Sequence, residues 1–291
     1  MSKKVDNKKY KSMKKAQNRG DMISYICLSI LGFIWLLPFI LVILTSFREE
    51  QGADRSYIWP KGFSTINYEM LFTDTDPLSF PQWFMNTLIV SIFVTIISTF
   101  FVLSVSFTMS RIRFKMRRTF MNIALVLGMF PGFMSMVAIY IVLDAFNLTG
   151  QLGALVLCYS ASTGLGFYVA KGCFDTIPKA MDEAAWIDGA TKWQVFTKIT
   201  MPLSKPIIVY TVLTSFMSAW TDYIFVAYIM RTKVEKYTVA RGLYNMLERD
   251  NLQKYYTRFC AGAVIVSIPL AIVFLSMQKC YTEGLSGSVK G

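Results

Sequence analysis

The sequence has no histidine among its 291 residues. That excludes His-based general acid–base chemistry, Ser-His-Asp and Cys-His nucleophiles, and nearly all zinc enzymology. Charge is scarce too: 16% of residues are Asp, Glu, Lys or Arg, against roughly a quarter in soluble globular chains. The five cysteines (Cys27, Cys158, Cys173, Cys260 and Cys280) are scattered singly, with no C-x-x-C pair. They read as small hydrophobes rather than metal ligands or a disulfide framework. There is no GxxxxGK[ST] loop, so nucleotide binding of the P-loop kind is excluded. Disorder is excluded as well, because 54% of residues are hydrophobic and 15% aromatic.

What the chain has in excess is apolar sequence. Its mean hydropathy is +0.44, which marks a membrane protein. Six apolar runs, at about 22–46, 84–110, 119–143, 152–170, 207–230 and 258–278, are each of the length a bilayer crossing needs, ~20 residues. Backbone groups in hydrocarbon must be paired within the segment, so the runs are expected to be helices. A barrel strand would alternate, and 89–94 (IVSIFV) does not. The lysine-rich start followed by run 22–46 has the outline of a signal peptide, but the run is too long and lacks an A-x-A site. It is read as a retained span, kinked at Pro38.

The net charge of +12 is unevenly placed. Lys and Arg number eight in 3–19, five in 111–118, five in 171–205 and two in 279–290. The alternate segments hold three in 48–61, none in 144–151 and seven in 231–258. The bias predicts a multi-pass protein of the cell membrane with both termini cytoplasmic, rather than a nucleic-acid binder. Loop 231–258 dissents, and two readings stand for it: contact with an outer partner, or a solvated loop. The expected organisation is a cytoplasmic basic tail (1–21), a first transmembrane helix (22–46) and an extracytoplasmic loop (47–83). A helical core (84–279) with a long loop at 171–206 follows, then a cytoplasmic C-terminal tail (280–291). Loop 47–83 is acidic, with Glu49, Glu50, Asp54, Glu69, Asp74 and Asp76, and carries Trp59, Tyr68 and Trp83.

Ion-coupled carriers need ionisable groups at membrane depth, and the spans contain one, Asp222. Its insertion costs ~2.5–3.5 kcal/mol at the bilayer centre. A lone carboxylate does not make a proton relay, so the energy for vectorial work must come from elsewhere. Asp222 reads either as a polar helix–helix contact or as part of a pathway, and the same choice extends to Tyr223. Hydroxyl and small residues recur in two runs: Ser91, Thr95, Ser98 and Thr99, then Ser160, Ser162, Thr163, Gly164 and Gly166. They suit close helix packing or a path for a neutral polar solute. The pathway candidates are Ser98, Ser160, Asp222 and Tyr223.

Segment 171–206 carries most information. Pro178 suits a helix start, and Asp182 and Glu183 sit near its positive end. Ala180, Ala184 and Ile187 form a narrow apolar stripe, and Gly189 ends the helix. Trp193, Phe196, Ile199 and Thr200 mark a second helical segment, closed by Pro202 and Pro206. A thin-faced short helix fits a groove on another protein. A helix lying on lipid headgroups would want a basic face, and this one is acidic.

Glu183-Ala184-Ala185, three residues, Gly189, nine residues, Ile199, one residue, then Met201-Pro202 resembles the EAA loop of ABC importer permeases, with Met201 in place of leucine. The resemblance extends to Ser110-Arg111-Ile112-Arg113-Phe114, Phe130-Pro131-Gly132, Ile177-Pro178-Lys179 and Ala219-Trp220-Thr221-Asp222-Tyr223, over about 80–291. The tail 284–291 resembles that of six-span maltose/maltodextrin permeases. The resemblance implies an all-α membrane protein of six transmembrane helices with the type I ABC importer permease fold and a cytoplasmic coupling helix. It implies contact with an ATPase through Glu183, Ala184, Ala185, Gly189, Ile199 and Pro202. The partners it implies are a second permease subunit, two cytoplasmic ATPase subunits, an extracytoplasmic sugar-binding protein and membrane lipid; no nucleic acid, cofactor or metal is implied. The chain would be no enzyme, ATP being hydrolysed by a partner. The implied function is ATP-driven oligosaccharide import, with maltose or maltodextrin as solute. Import of another solute, or an ATPase-independent carrier or scaffold, are the alternatives.

Overall fold

The computed structural model describes residues 2–53, 57, 59–75, 78–162 and 166–287, with backbone alone for 2–19 and 279–287. Asp54, Asp76, Thr163, Gly164 and the tail 288–291 lie outside the described residues. Among the described residues the chain is helical, apart from one antiparallel bridge between Arg48 and Phe63. Three helices carry unbroken apolar spans: α1 (Ser2–Ser46), α3 (Phe80–Arg111) and α14 (Leu252–Gly287). The short α2 (Ile66–Thr73) lies in the loop between the first two. The other crossings are made of paired pieces: α4 (Arg117–Gly128) with α5 (Gly132–Ala145), and α6 (Leu152–Ala161) with α7 (Gly166–Thr176). The last is α11 (Lys205–Thr221), which follows the bent segment 192–203. Counting each pair once gives six spans.

Three of the apolar runs are broken: 152–170 divides between α6 and α7, and 119–143 and 207–230 break as well. Run 119–143 bends by 102° between α4 and α5. Pro131 sits at the break with φ −58° and ψ 127°. It has no N–H to continue the helix, and its ring forces Phe130 away from helical geometry. Run 207–230 ends its first helix at Thr221; Asp222 is extended at ψ 112°, and α12 (Ile224–Met230) begins afresh.

The bundle is organised about α3, against which α6, α7, α11 and α13 (Val239–Leu247) pack. α14 packs on α1, α11, α13 and α2. Two apolar clusters stack along α3. One, around Phe80, Trp83, Val90 and Val94, includes Leu155, Trp220, Ile229 and Met246. The other, around Val102, Leu103 and Phe107, includes Phe174, Val195, Phe196 and Ile207. α4 contributes no buried residue and α5 only Leu143.

Polar side chains at the start of α3 hold loop 231–238 down. Trp83 Nε1 donates to Val234 O at 2.8 Å. Asn86 Nδ2 donates to Glu235 O at 2.9 Å and Tyr237 O at 3.0 Å. Thr87 Oγ1 accepts from Val239 N–H at 2.7 Å. The basic loop is thus docked on the bundle. At the same end Asn67 Nδ2 donates to Ser46 O and Arg48 O, and Arg258 pairs with Asp74 at 2.6 Å. α1 ends and α14 begins here, so the two helices run antiparallel between this end and the opposite one.

Candidate functional site

At the opposite end, the chain leaves α7 and forms α8 (Lys179–Ile187), with Pro178 at its N-cap. The helix stops in a Schellman turn. Ala190 N–H donates to Ala185 O at 2.9 Å and Gly189 N–H to Trp186 O at 3.1 Å. Gly189 sits at the position after the C-cap with φ +82°, left-handed backbone that costs a side chain about 1–2 kcal/mol. This accounts for the spacing from Glu183-Ala184-Ala185 to Gly189: Gly189 is the left-handed residue inside the turn that the Ala190 N–H to Ala185 O bond closes.

α8 has two unlike faces. Ala180, Met181, Glu183, Ala184 and Ile187 are exposed, Ile187 by 86%. Ala185 is half-buried against the second apolar cluster. Asp182, read from the sequence as a carboxylate favouring the helix's positive end, is instead its one buried residue. It forms an ion pair with Arg111, the last residue of α3, Nε to Oδ2 at 2.9 Å, both side chains 2% exposed. The N–H does not point along this contact, which is an electrostatic pairing rather than an aligned hydrogen bond. Burial drives the Asp182 carboxyl upward against the pull of Arg111, leaving it above the ordinary carboxylate value. Arg111 Nη2 also donates to Phe174 O and Ile177 O, both at 2.9 Å. Beside it, Ser110 Oγ donates to Asp175 Oδ1 at 2.6 Å, and Lys171 Nζ reaches Asp175 Oδ2 at 2.5 Å. In the sequence Arg111 stands out only within the stretch Ser110-Arg111-Ile112-Arg113-Phe114, and nothing there singles out Asp175 or Lys171. Lys171 and Asp175 are four apart on one helix, a spacing that pairs charges.

After Gly189 a capping box starts α9 (Lys192–Val195): Thr191 Oγ1 accepts from Gln194 N–H at 3.3 Å and Gln194 Oε1 from Thr191 N–H at 2.7 Å. Thr-x-x-Gln is legible as that motif. A π-helical stretch, Phe196–Thr200, and the single turn α10 (Met201–Leu203) follow, and the chain then turns by 86° into α11. Ile199 is half-buried against the second apolar cluster. Pro202 is exposed at the start of α10, just before the turn.

Midway along the bundle a cavity of about 280 Å³ opens between α3, α6, α7 and α11. Its lining combines Val94 and Val102 with the hydroxyl-bearing residues Tyr159, Ser162, Tyr210, Thr211, Thr214, Ser215 and Ser218. Asp222 is bonded to this wall: Tyr159 Oη donates to its Oδ2 at 3.0 Å, while its Oδ1 accepts from Phe225 N–H at 3.0 Å and caps α12. The other pathway candidates lie elsewhere. Ser98 is fully buried in α3. Ser160 lines a separate apolar pocket of about 380 Å³ with Ile97, Phe101 and Phe167. Tyr223 stacks on Tyr244, ring centroids 4.0 Å apart, with the Arg241 guanidinium 5.7 Å from its ring. The hydroxyls of α11 were passed over in the sequence, although Tyr210/Thr214 and Thr211/Ser215 repeat at i, i+4.

Residues 102–282 match the family described as binding-protein-dependent transport system inner membrane component. The chain belongs to this family. As a member it is a membrane permease component of a transport system rather than an enzyme. It is 32% identical to a galactooligosaccharides transport system permease protein of Bacillus subtilis, over 93% of this chain and 95% of that one. It is 31% identical to a maltose/maltodextrin transport system permease protein of Salmonella typhimurium, over 95% and 98%. In fold it resembles a chain of a bacterial ABC transporter involved in import of the acidic polysaccharide alginate. The TM-score there is 0.74 at 21% identity, over 89% of this chain and 95% of that one.

Proposed function

We propose that this permease serves an ATP-driven importer of neutral oligosaccharides of the maltodextrin or galactooligosaccharide kind. The end bearing α8 faces the cytoplasm and both termini lie on that side. α8 is the coupling helix, seated in a cleft of a cytoplasmic ATPase subunit. Glu183, Ala184 and Ile187 make that contact; Ala185, Gly189, Ile199 and Pro202 shape the element that presents it. The observation that carries this reading is the split character of α8: one buried anchor, a rigid glycine-closed end, and an apolar and acidic face left uncovered. Exposed apolar side chains such as Ile187 and Trp193 belong against a protein surface. A second permease subunit covers α4 and α5, whose apolar sides the chain itself leaves bare. An extracytoplasmic binding protein delivers solute to the end formed by 47–83 and 231–251. The cavity beside Asp222, lined with hydroxyl-bearing residues, suits a neutral polyol, which needs donors and acceptors rather than charge.

The test is uptake of maltotriose and of a galactooligosaccharide into cells or vesicles holding the complete transporter. Uptake should require ATP and fall at least about tenfold in Glu183→Lys, a charge reversal at a buried contact, with the subunit still in the membrane. Undiminished uptake in that variant would remove α8 from the coupling contact. Uptake that survives ATP depletion would favour a carrier working without an ATPase.

A further inference from the structure

Asp182 is the one buried residue of α8, so this helix is held to the bundle chiefly through a single side chain. Its partner makes three contacts through two nitrogens. Nε of Arg111 faces Asp182 Oδ2, and Nη2 reaches Phe174 O and Ile177 O. Phe174 O lies in the last turn of α7 and Ile177 O just beyond it, at the end where a helix carries a partial negative charge. One guanidinium therefore joins the end of α3, the end of α7 and the first turn of α8.

Stability alone does not call for this arrangement. A buried ion pair is often no better than apolar residues of the same volume, because desolvation offsets the attraction. The guanidinium does something an apolar contact cannot: the two carbonyl bonds from Nη2 fix its direction at the end of α7, while its charge holds Asp182 at 2.9 Å. From Arg111, α3 continues as one helix past Val102 and Val94, both on the cavity wall. At 1.5 Å per residue these lie ~14 Å and ~26 Å from its end.

We propose that Arg111 is the positioning residue through which displacement of α8 is delivered to α3, and so to the wall of the cavity. This inference rests on the coupling role of α8 put forward above. An ATPase pressing on the exposed face would move Asp182. Arg111 would carry that movement to α3 and α7 together, in place of letting α8 slide along the bundle.

The experiment uses the complete transporter in proteoliposomes and reads oligosaccharide taken up per ATP hydrolysed, with maltotriose or the galactooligosaccharide as solute, whichever the wild type takes up. Arg111→Met is expected to lower that ratio about tenfold while the subunits stay assembled. Asp182→Asn, which leaves both carbonyl bonds, should lower it less. Arg111→Lys keeps the charge but not the fork and should not restore it. The double variant Arg111→Met/Asp182→Leu removes both buried charges. It is expected to recover thermal stability without recovering uptake per ATP, a separation that a purely structural anchor would not give. A wild-type ratio in the double variant, or in Asp182→Asn and Arg111→Lys together, overturns the inference while leaving coupling through α8 intact. Wild-type uptake that needs no ATP overturns the coupling role and this inference with it.

Discussion

Gly189 shows how far a single position is constrained here. Nothing lies within 4 Å of where its Cβ would be, so space does not require glycine; the φ of +82° does. Gly189→Ala should therefore cost about 1–2 kcal/mol, all of it backbone strain. The loss should appear as faster hydrogen exchange at the Ala190 amide, which the Schellman turn protects. Asn, which tolerates left-handed backbone, should cost less than Ala. Gly242 is the opposite case, since its Cβ would stand 2.0 Å from Trp83 Cε3. Gly189 was legible in the sequence because its spacing to Ala185 is set within one helix. The burial of Asp182 was not, because Arg111, on another helix, decides which side of α8 turns inward.

At the scale of elements, apolar length located the spans but not their breaks. Run 119–143 is uniformly apolar, and hydropathy is blind to the missing N–H of Pro131. Pro131→Ala restores that donor and should let α4 and α5 approach one straight helix. Spin labels at Ile123 and Ile141, both exposed, should then move apart; an unchanged separation would mean that packing, not proline, makes the bend. The break in run 207–230 has a different origin. Asp222 accepts from the N–H of Phe225 three residues on, the pattern of an N-cap. The sequence presented Asp222 as a charge at membrane depth, whereas in the fold it caps one helix and bonds a tyrosine of another.

At the scale of the whole molecule, α3 links the two ends. Its first turns hold loop 231–238 through Trp83, Asn86 and Thr87, and its last residue holds α8. Asn86→Leu would strand the carbonyls of Glu235 and Tyr237, at a cost of about 1–3 kcal/mol. A lower melting temperature in detergent and earlier proteolysis within 231–238 should follow; unchanged cleavage would show the loop is held by its apolar contacts instead. Composition and periodicity were enough to establish a helical membrane chain, its approximate spans and the helix–glycine spacing at 183–189, because hydrophobic length and local turns depend on neighbours in sequence. Tertiary structure alone decided the docking of the basic loop, the lining of the cavity and the Arg111–Asp182 pair, while the bends come from local features, Pro131 and Asp222, that hydropathy does not register. Each of these is a meeting of groups on different helices, or a geometry that hydropathy does not encode, and a buried charge finds its partner only once packing has brought the two together.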